Sequence, residues 1–188
     1  MIPIKGYATF HPLKHCLIGK NFSSNFFEKI TKNTKVSDPL RRIADETEED
    51  YQTLEKILND AGGFNAQNGI MLTAWDDGFG AVRVDLAAHH VNPMQLVHGG
   101  LYTAMLDVAL AMTGSFRPAP DPLIPGLTLS LTTEFLAAAI LDDRYLVAEA
   151  RRIGGGKSVF FADGAVRASC GRLVATASGV FKPGRPPK

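Results

Sequence analysis

The sequence lacks the features that mark secreted, membrane-spanning or nucleic-acid-binding proteins. Its two cysteines, Cys16 and Cys170, are too few for a disulfide framework or a thiolate metal site. No apolar run approaches the roughly 18 residues that a membrane-spanning helix requires. The formal net charge of +1 is not the basic surplus of a general nucleic-acid binder. Because the N-terminus also shows no basic-then-apolar signal pattern, we expect a soluble cytoplasmic protein without membrane, metal or nucleic-acid partners.

What is present fits one globular domain between two flanking segments. Hydrophobic residues make up 45% of the sequence and charged residues 21%, which allows a core without covalent staples. Residues 1–37 are rich in Lys, Asn, Phe and Ser and show no sustained period, which favours a flexible extension, although the apolar residues within 26–30 would suit a short helix. Residues 183–188 are a polar, proline-rich tail. The domain is therefore expected over 38–182.

Within that domain, changes in hydrophobic period separate helices from strands. Asp38-Pro39 is typical of a helix start and Gly62-Gly63 of a helix end, which predicts an N-terminal helix over 38–62. The segment 99–115 is predicted to be a helix that is apolar almost all round, and such a helix should be buried on every side. Strands are predicted at 70–76 and 80–87, around an Asp77-Gly78 turn, and at 127–135, 144–152, 157–169 and 172–182. The predicted fold class is α+β, with an antiparallel sheet of five or six strands wrapped around the long central helix.

Asp107 is the strongest anomaly in the central helix, because its neighbours Met105, Leu106, Val108 and Ala109 are all apolar. Burying an ionised carboxylate among apolar groups is costly unless hydrogen-bond donors surround it. Such a residue is either a functional carboxylate or a structural one that bonds Thr103 or caps a neighbouring loop. The position alone favours neither interpretation.

The pair Gly99-Gly100 stands where the preceding loop ends and this helix begins. Without side chains, the pair would expose the first helical N–H groups, whose partial positive charge suits an oxyanion. The alternative, which a bare Gly-Gly favours, is a tight turn that needs positive φ. His98 would hold a thioester or water, or simply orient the loop.

Two further polar residues are candidates for the same site. Asn92 offers an amide donor and an acceptor suited to holding a water molecule, but Asn92-Pro93 is equally an ordinary turn. Thr128 and Ser130 are predicted to share the strand face opposite the leucine stripe, where they would either approach a substrate or face solvent. The adjacent pair His89-His90 would point to opposite sides of a strand and is a poor metal site.

The order and spacing of these residues are more specific than any one of them. The run from Asn92 to Asp107, NPMQLVHGGLYTAMLD, resembles the active-site segment of the hotdog-fold acyl-CoA thioesterase superfamily, in its PaaI-like (phenylacetate-pathway) branch. That branch carries an Asn, a short spacer, a His-Gly-Gly turn and an Asp nine positions after the His, and all of these are present. The resemblance extends over about residues 65–182, whereas residues 1–37 have no counterpart in the family.

The resemblance implies hydrolysis of an acyl- or aryl-CoA thioester to the free acid and CoA, with no separate cofactor. Asp107 would be the catalytic carboxylate, as nucleophile or as general base. The Gly99 N–H would be the oxyanion donor. Asn92 would position the water, His98 would support the thioester end, and Thr128 would place a hydroxyl near the water.

The family also implies an assembly. Its members pair two hotdog domains side by side, so that each site takes Asp from one subunit and the glycine turn from the other. Two such dimers often form a tetramer. The CoA phosphates would need basic partners, for which Arg151, Arg152 and Lys157 near the Gly154–Gly156 hairpin are candidates beside Gly100; solvated surface charge is the ordinary alternative for each of the three.

Two other functions fit the same fold. A hotdog hydratase would act on an enoyl or hydroxyacyl thioester through a His–Asp or His–Glu pair, and the nine-residue spacing from His98 to Asp107 argues against it. A non-catalytic acyl-CoA-binding module is permitted because a fold does not fix a function. Asp107 argues against that module, since a pure binder gains nothing from a buried carboxylate.

Overall fold

The computed structural model of the protein describes residues 63–115 and 126–184. The predicted N-terminal extension and the predicted helix at 38–62 lie outside the described residues, as does most of the tail. Two helices and six strands follow one another along the described chain. They are α1 (Gly63–Gln67), β1 (Met71–Asp76), β2 (Phe79–Asp85), α2 (Gly99–Met112), β3 (Leu127–Phe135), β4 (Tyr145–Gly155), β5 (Phe160–Ala168) and β6 (Leu173–Lys182), with short 3-10 turns at Ala88–His90 and Leu141–Asp143.

The six strands form one antiparallel sheet in the order β1-β2-β4-β5-β6-β3. The predicted hairpin is confirmed: Asp76 pairs with Phe79 across the two-residue turn, and Gly78 has a φ of 74°, which a side chain would make unfavourable. Strands β1 and β3 are the two edges, so the chain places its first and third strands at opposite ends of the sheet. The predicted α+β class and the six-stranded antiparallel sheet are confirmed.

The central helix α2 packs against one face of this sheet. Gly80 and Gly164 permit that contact, because a Cβ atom at Gly80 would lie 2.6 Å from the Ala109 carbonyl oxygen and one at Gly164 would lie 2.6 Å from Leu110 Cδ1. The hydrophobic core lies between the helix and the sheet. Its fully buried side chains include Val82, Val84, Met105, Leu106, Leu110, Leu146, Phe160, Val166 and Phe181. None of the helices within the described ranges is long and apolar enough to cross a membrane.

Helix α2 ends three residues earlier than the apolar pattern predicts, at Met112 rather than Ser115. Hydroxyl groups replace the next helical bonds, since Thr113 Oγ1 donates to the Leu110 carbonyl and Ser115 Oγ donates to the Ala111 carbonyl, each at 2.8 Å. Trp75 Nε1 donates to the Met112 carbonyl at 2.9 Å. These bonds satisfy the last carbonyl groups of the helix and stop it in place.

The prediction that α2 is buried on every side is wrong for the single chain. One row of residues, spaced three or four apart, is only half-buried: Thr103, Ala104, Asp107 and Val108. The sheet covers the rest of the helix, but its edge strand β3 is mostly exposed and does not close over this row. The open row places Asp107 at an accessible surface rather than inside a closed core.

A bulge in β3 corrects a second prediction. Thr128 pairs with Phe181, but Ser130 pairs with Val180, so the register slips between them. Because one extra residue reverses the alternation of a strand, Thr128 lies on the helix side with Leu131, whereas Ser130 lies on the opposite side. Thr128 and Ser130 therefore do not share a face.

Candidate active site

Asp107 and Thr128 come together on the open row of α2. Thr128 Oγ1 donates a hydrogen bond to Asp107 Oδ1 over 2.6 Å. Asp107 is half-buried in the third turn of the helix, and the β3 bulge turns the Thr128 hydroxyl toward it. The two candidates thus form a side-chain pair that joins the central helix to the edge strand. A short, charge-assisted bond of this kind fixes the carboxylate while its second oxygen stays available.

The segment His98–Gly100, here termed the oxyanion turn, begins the same helix. His98 is the N-cap residue, with extended backbone angles, and its Nδ1 accepts from the Gly100 N–H at 2.9 Å. Neither glycine has positive φ, so the alternative of a left-handed turn is wrong. Gly100 is needed for space instead, because a Cβ atom there would lie 2.8 Å from His98 Nδ1.

Gly99 presents a free donor. None of the described residues accepts a hydrogen bond from its N–H, whereas the next two amides donate to His98 Nδ1 and to the His98 carbonyl. Within the described part of the chain, the Gly99 N–H is thus an unused group at the positive end of a 14-residue helix. His98 Nδ1 is an acceptor, so the proton of the neutral ring is on Nε2, where it is free to donate.

Asn92 organises the loop before the oxyanion turn. Its Oδ1 accepts from the Met94 N–H at 2.9 Å and from the Leu96 N–H at 3.2 Å, and its backbone N–H donates to the Leu96 carbonyl at 2.8 Å. Gln95 adopts a φ of 62° in this loop. The acceptor of Asn92 is therefore used in a turn, as the simpler interpretation predicted, while its Nδ2 has no bond to a described residue.

Tyr102 and His90 are supporting residues whose roles the sequence did not predict. Tyr102 Oη accepts from the Ala139 N–H, and the Ala139 carbonyl accepts from the Val97 N–H at 2.8 Å, which ties the loop to the helix. Burial raises the pKa of Tyr102. The buried His90 accepts the His98 N–H on its carbonyl at 2.8 Å. The spacing of residues in the sequence predicts neither role, because both depend on where the loop returns to the sheet.

The three basic residues that are candidates for CoA binding lie at the β4–β5 hairpin and not on α2. Arg151, Arg152 and Lys157 are exposed around the β4–β5 hairpin. The Arg151 guanidinium lies 4.9 Å from the Phe79 ring centroid, and that of Arg152 lies 5.5 Å from the Phe160 ring centroid. These positions leave their cationic heads at the surface, and no described contact joins them to Asp107.

The two chemical groups of the candidate site are well separated within one chain. Gly99 and Asp107 are eight residues apart on a continuous helix, which is a separation of about 12 Å along its axis. A nucleophile and an oxyanion donor must both lie about 3 Å from the same reacting carbonyl group. The described chain therefore holds the two halves of the candidate site apart.

One family model matches the part of the chain that contains the oxyanion turn, Asp107 and Thr128. Residues 94–175 match the model of the thioesterase superfamily. The matched residues run from the loop before α2 to the start of β6, so this part of the chain is similar to that superfamily. No curated protein is significantly similar to the chain in sequence.

Several solved structures have a similar fold. The PaaI protein of the Escherichia coli phenylacetic acid degradation operon is 21% identical, with a TM-score of 0.59 over 70% of this chain and 91% of that one. The conserved protein PA5202 of Pseudomonas aeruginosa is 25% identical, with a TM-score of 0.57 over 64% of this chain and 93% of that one. Zebrafish thioesterase superfamily member 2 is 16% identical, with a TM-score of 0.61 over 73% and 98%. The predicted resemblance to the PaaI-like hotdog thioesterases is confirmed.

Proposed function

We propose that this protein is an acyl-CoA thioesterase that hydrolyses its substrate to a free acid and CoA. The observation that carries the proposal is the Thr128–Asp107 hydrogen bond on the open row of α2. A bond from a threonine hydroxyl orients a carboxylate without neutralising it. An oriented carboxylate on an apolar helix is suited to attack or to base catalysis and has no evident structural use there.

Asp107 would act through Oδ2, since Oδ1 accepts the Thr128 hydroxyl. As nucleophile, Oδ2 attacks the thioester carbonyl carbon, the C–S bond breaks, the CoA thiolate leaves and takes a proton, and water then hydrolyses the acyl anhydride. As general base, Oδ2 takes a proton from a water molecule that attacks the same carbon, and the proton passes to the departing thiolate. Both routes consume one water and need no cofactor.

The oxyanion turn would stabilise the negative charge that develops on the thioester oxygen. The Gly99 N–H is unused by the described residues and lies at the start of α2, where the helix dipole favours an anion. His98 Nε2 would donate from the same side and support the thioester end of the substrate. Asn92 Nδ2 would hold the attacking water, since its Oδ1 is occupied by the loop.

A complete site would require two copies of the chain. The axial separation of about 12 Å between Gly99 and Asp107 prevents both groups of one helix from serving one carbonyl. The edge strand β3 offers the surface for a partner, because Leu127, Leu129 and Phe135 are 64%, 57% and 59% exposed. We propose a homodimer in which each site combines Asp107 of one subunit with Gly99 of the other, and a tetramer built from two such dimers.

The CoA moiety would lie along the hairpin surface. Arg151, Arg152 and Lys157 are exposed there and would pair with its phosphates, with the small Gly100 leaving room at the thioester end. A cytoplasmic setting is part of the same proposal.

Thiol release from purified protein tests the function directly. We expect release of free CoA from members of a panel of acyl- and aryl-CoA esters. Asp107→Asn should lower kcat by about a thousandfold with an unchanged far-ultraviolet circular dichroism spectrum. Asp163→Asn, a matched change at an exposed carboxylate on β5, should have no effect. Full activity of Asp107→Asn would remove Asp107 from the mechanism, and tight binding of the esters without turnover would replace hydrolysis with a binding function.

A further inference from the structure

The imidazole of His90 is buried and uses both of its ring nitrogens. Only 4% of the residue is exposed. Its Nδ1 accepts from the Ala87 N–H at 3.0 Å, and its Nε2 lies 3.2 Å from the Asn68 carbonyl oxygen. An acceptor at Nδ1 and a carbonyl at Nε2 define a neutral ring with its proton on Nε2. A second proton would place two N–H groups against each other at Ala87.

The backbone of His90 continues into the candidate site. Its carbonyl accepts the His98 N–H at 2.8 Å, and His98 is the N-cap of α2 that holds the Gly100 N–H. His90 therefore joins three segments: the end of α1 at Asn68, the 3-10 turn at Ala87, and the oxyanion turn. A displacement of the ring would reach the Gly99 N–H through the hydrogen bond between the His90 carbonyl and the His98 N–H, since Gly99 follows His98 directly.

Among the described residues, none provides a counter-charge for a second proton on His90. The segments 64–70 and 86–97 contain no Asp, Glu, Lys or Arg. The titratable groups near it are His89, whose ring centroid is 4.0 Å away and whose charge would repel, and His98, whose Nδ1 is turned to Gly100. Burial, then repulsion from His89, lowers the pKa of His90 against an opposing effect of the Asn68 carbonyl.

We propose that His90 is a positioning residue whose neutral imidazole holds the oxyanion turn in place, and whose protonation releases that turn in weakly acid solution. The consequence for catalysis rests on the proposed function. The sign follows from linkage: a group that binds its proton less readily in the closed loop than in an open one favours the open loop once protonated. Closure is therefore complete above about pH 6.5, the ordinary value for histidine, and weakens as the pH falls below it.

Hydrogen exchange measured by mass spectrometry tests the switch without any substrate. We compare peptides covering 88–100 at about pH 7.5 and about pH 5.5, after correction for the intrinsic pH dependence of amide exchange. We expect opening of this segment to increase about tenfold at the lower pH, with β5 peptides unchanged. His90→Gln, whose amide oxygen can reach back to the Ala87 N–H without titrating, should abolish the increase, and His89→Gln should keep it.

The activity profile supplies the second measurement. The loss of kcat on acidification should be smaller in His90→Gln than in the parent and in His89→Gln, while His90→Leu should lower kcat about tenfold at neutral pH. Equal exchange of 88–100 at both pH values in the parent, or the same increase in His90→Gln, would overturn the proposal. If His90→Gln does not fold, the parent's exchange decides alone. If no thioester is hydrolysed, the proposed function fails while exchange still decides the role of His90.

Discussion

The two halves of the candidate site are built by different means. The oxyanion turn is held by backbone hydrogen bonds and by side chains that cap them, from His90, Asn92 and His98. Among the described residues, Asp107 has a single side-chain partner, Thr128, and it stands on the half-buried row of α2 beside an exposed edge strand. The hydrogen bonds of the oxyanion turn are thus complete within one chain. Asp107, in contrast, is accessible on the side where another surface would cover it.

The two halves should therefore respond differently to amino-acid substitution. A backbone donor such as the Gly99 N–H survives most side-chain changes and is removed only by proline. A carboxylate fixed by one hydroxyl depends on both side chains. The predictions below exploit that contrast, and the first also asks whether the two halves meet across a subunit boundary.

A complementation experiment should give the largest effect. Gly99→Pro removes the N–H at the first helical position, where proline is well tolerated, and should lower kcat about a hundredfold or more. Asp107→Asn should be nearly inactive for a different reason, the loss of the carboxylate. If each site combines Asp107 of one subunit with Gly99 of the other, a hybrid dimer of the two variants has one intact site, so activity should return to about half of the parent value. Thiol release from doubly tagged, co-expressed hybrids measures this.

Two controls make that result specific. Gly99→Ala keeps the N–H and adds the same Cβ atom, 3.2 Å from Phe135 Cε1, so its activity should stay within severalfold of the parent. Separately purified variants that are mixed without subunit exchange should remain inactive. Hybrids as inactive as their parents would place both groups in one chain and contradict the two-subunit site.

The Thr128 hydroxyl should have a smaller effect on catalysis and almost none on folding. Thr128→Val removes the hydrogen bond that Thr128 donates to Asp107 and should lower kcat about tenfold. Because Thr128 is exposed, the free energy of unfolding should change by no more than about 0.5 kcal/mol. Steady-state kinetics and urea denaturation provide the two measurements.

Ser130 offers a matched control because the β3 bulge places it on the opposite face of the sheet. Ser130→Ala should leave kcat unchanged, and Thr128→Ser should restore most of the activity. Equal losses at Thr128 and Ser130 would mean that β3 acts through its general stability and not through the hydroxyl beside Asp107.

The same residues show what the sequence could predict. Hydrophobic period identified the strands to within a few residues, because one buried face imposes an alternation that the amino acids must follow. Asp107 was singled out by the cost of a carboxylate among apolar neighbours. Its partner Thr128 was found through family resemblance, and its face was predicted wrongly, since a bulge leaves no period-2 signal of its own.

The predictions for the burial of α2 and for its C-terminal end are wrong for a common reason. An all-apolar α2 predicts complete burial, but periodicity does not distinguish a face covered by the chain's own sheet from one left for a partner. The end of α2 depends on hydroxyl groups at Thr113 and Ser115 and on Trp75, which returns from β1. Both outcomes depend on tertiary contacts between residues far apart in sequence, which a local pattern does not contain.

Substitutions at Asn92 should have the smallest effect on kcat, and they separate its two roles. Asn92→Ala removes the acceptor for the Met94 and Leu96 N–H groups and should lower the free energy of unfolding by about 1–2 kcal/mol. Asn92→Asp keeps that acceptor and loses only the amide donor, so its stability should stay near that of the parent while kcat falls. Urea denaturation at one fixed protein concentration avoids a contribution from association. If Asn92→Asp matches the parent in both stability and kcat, Asn92 only closes the loop; the oxyanion turn would then contribute the Gly99 donor and His98, and the water would have to be held from the side of Asp107 and Thr128.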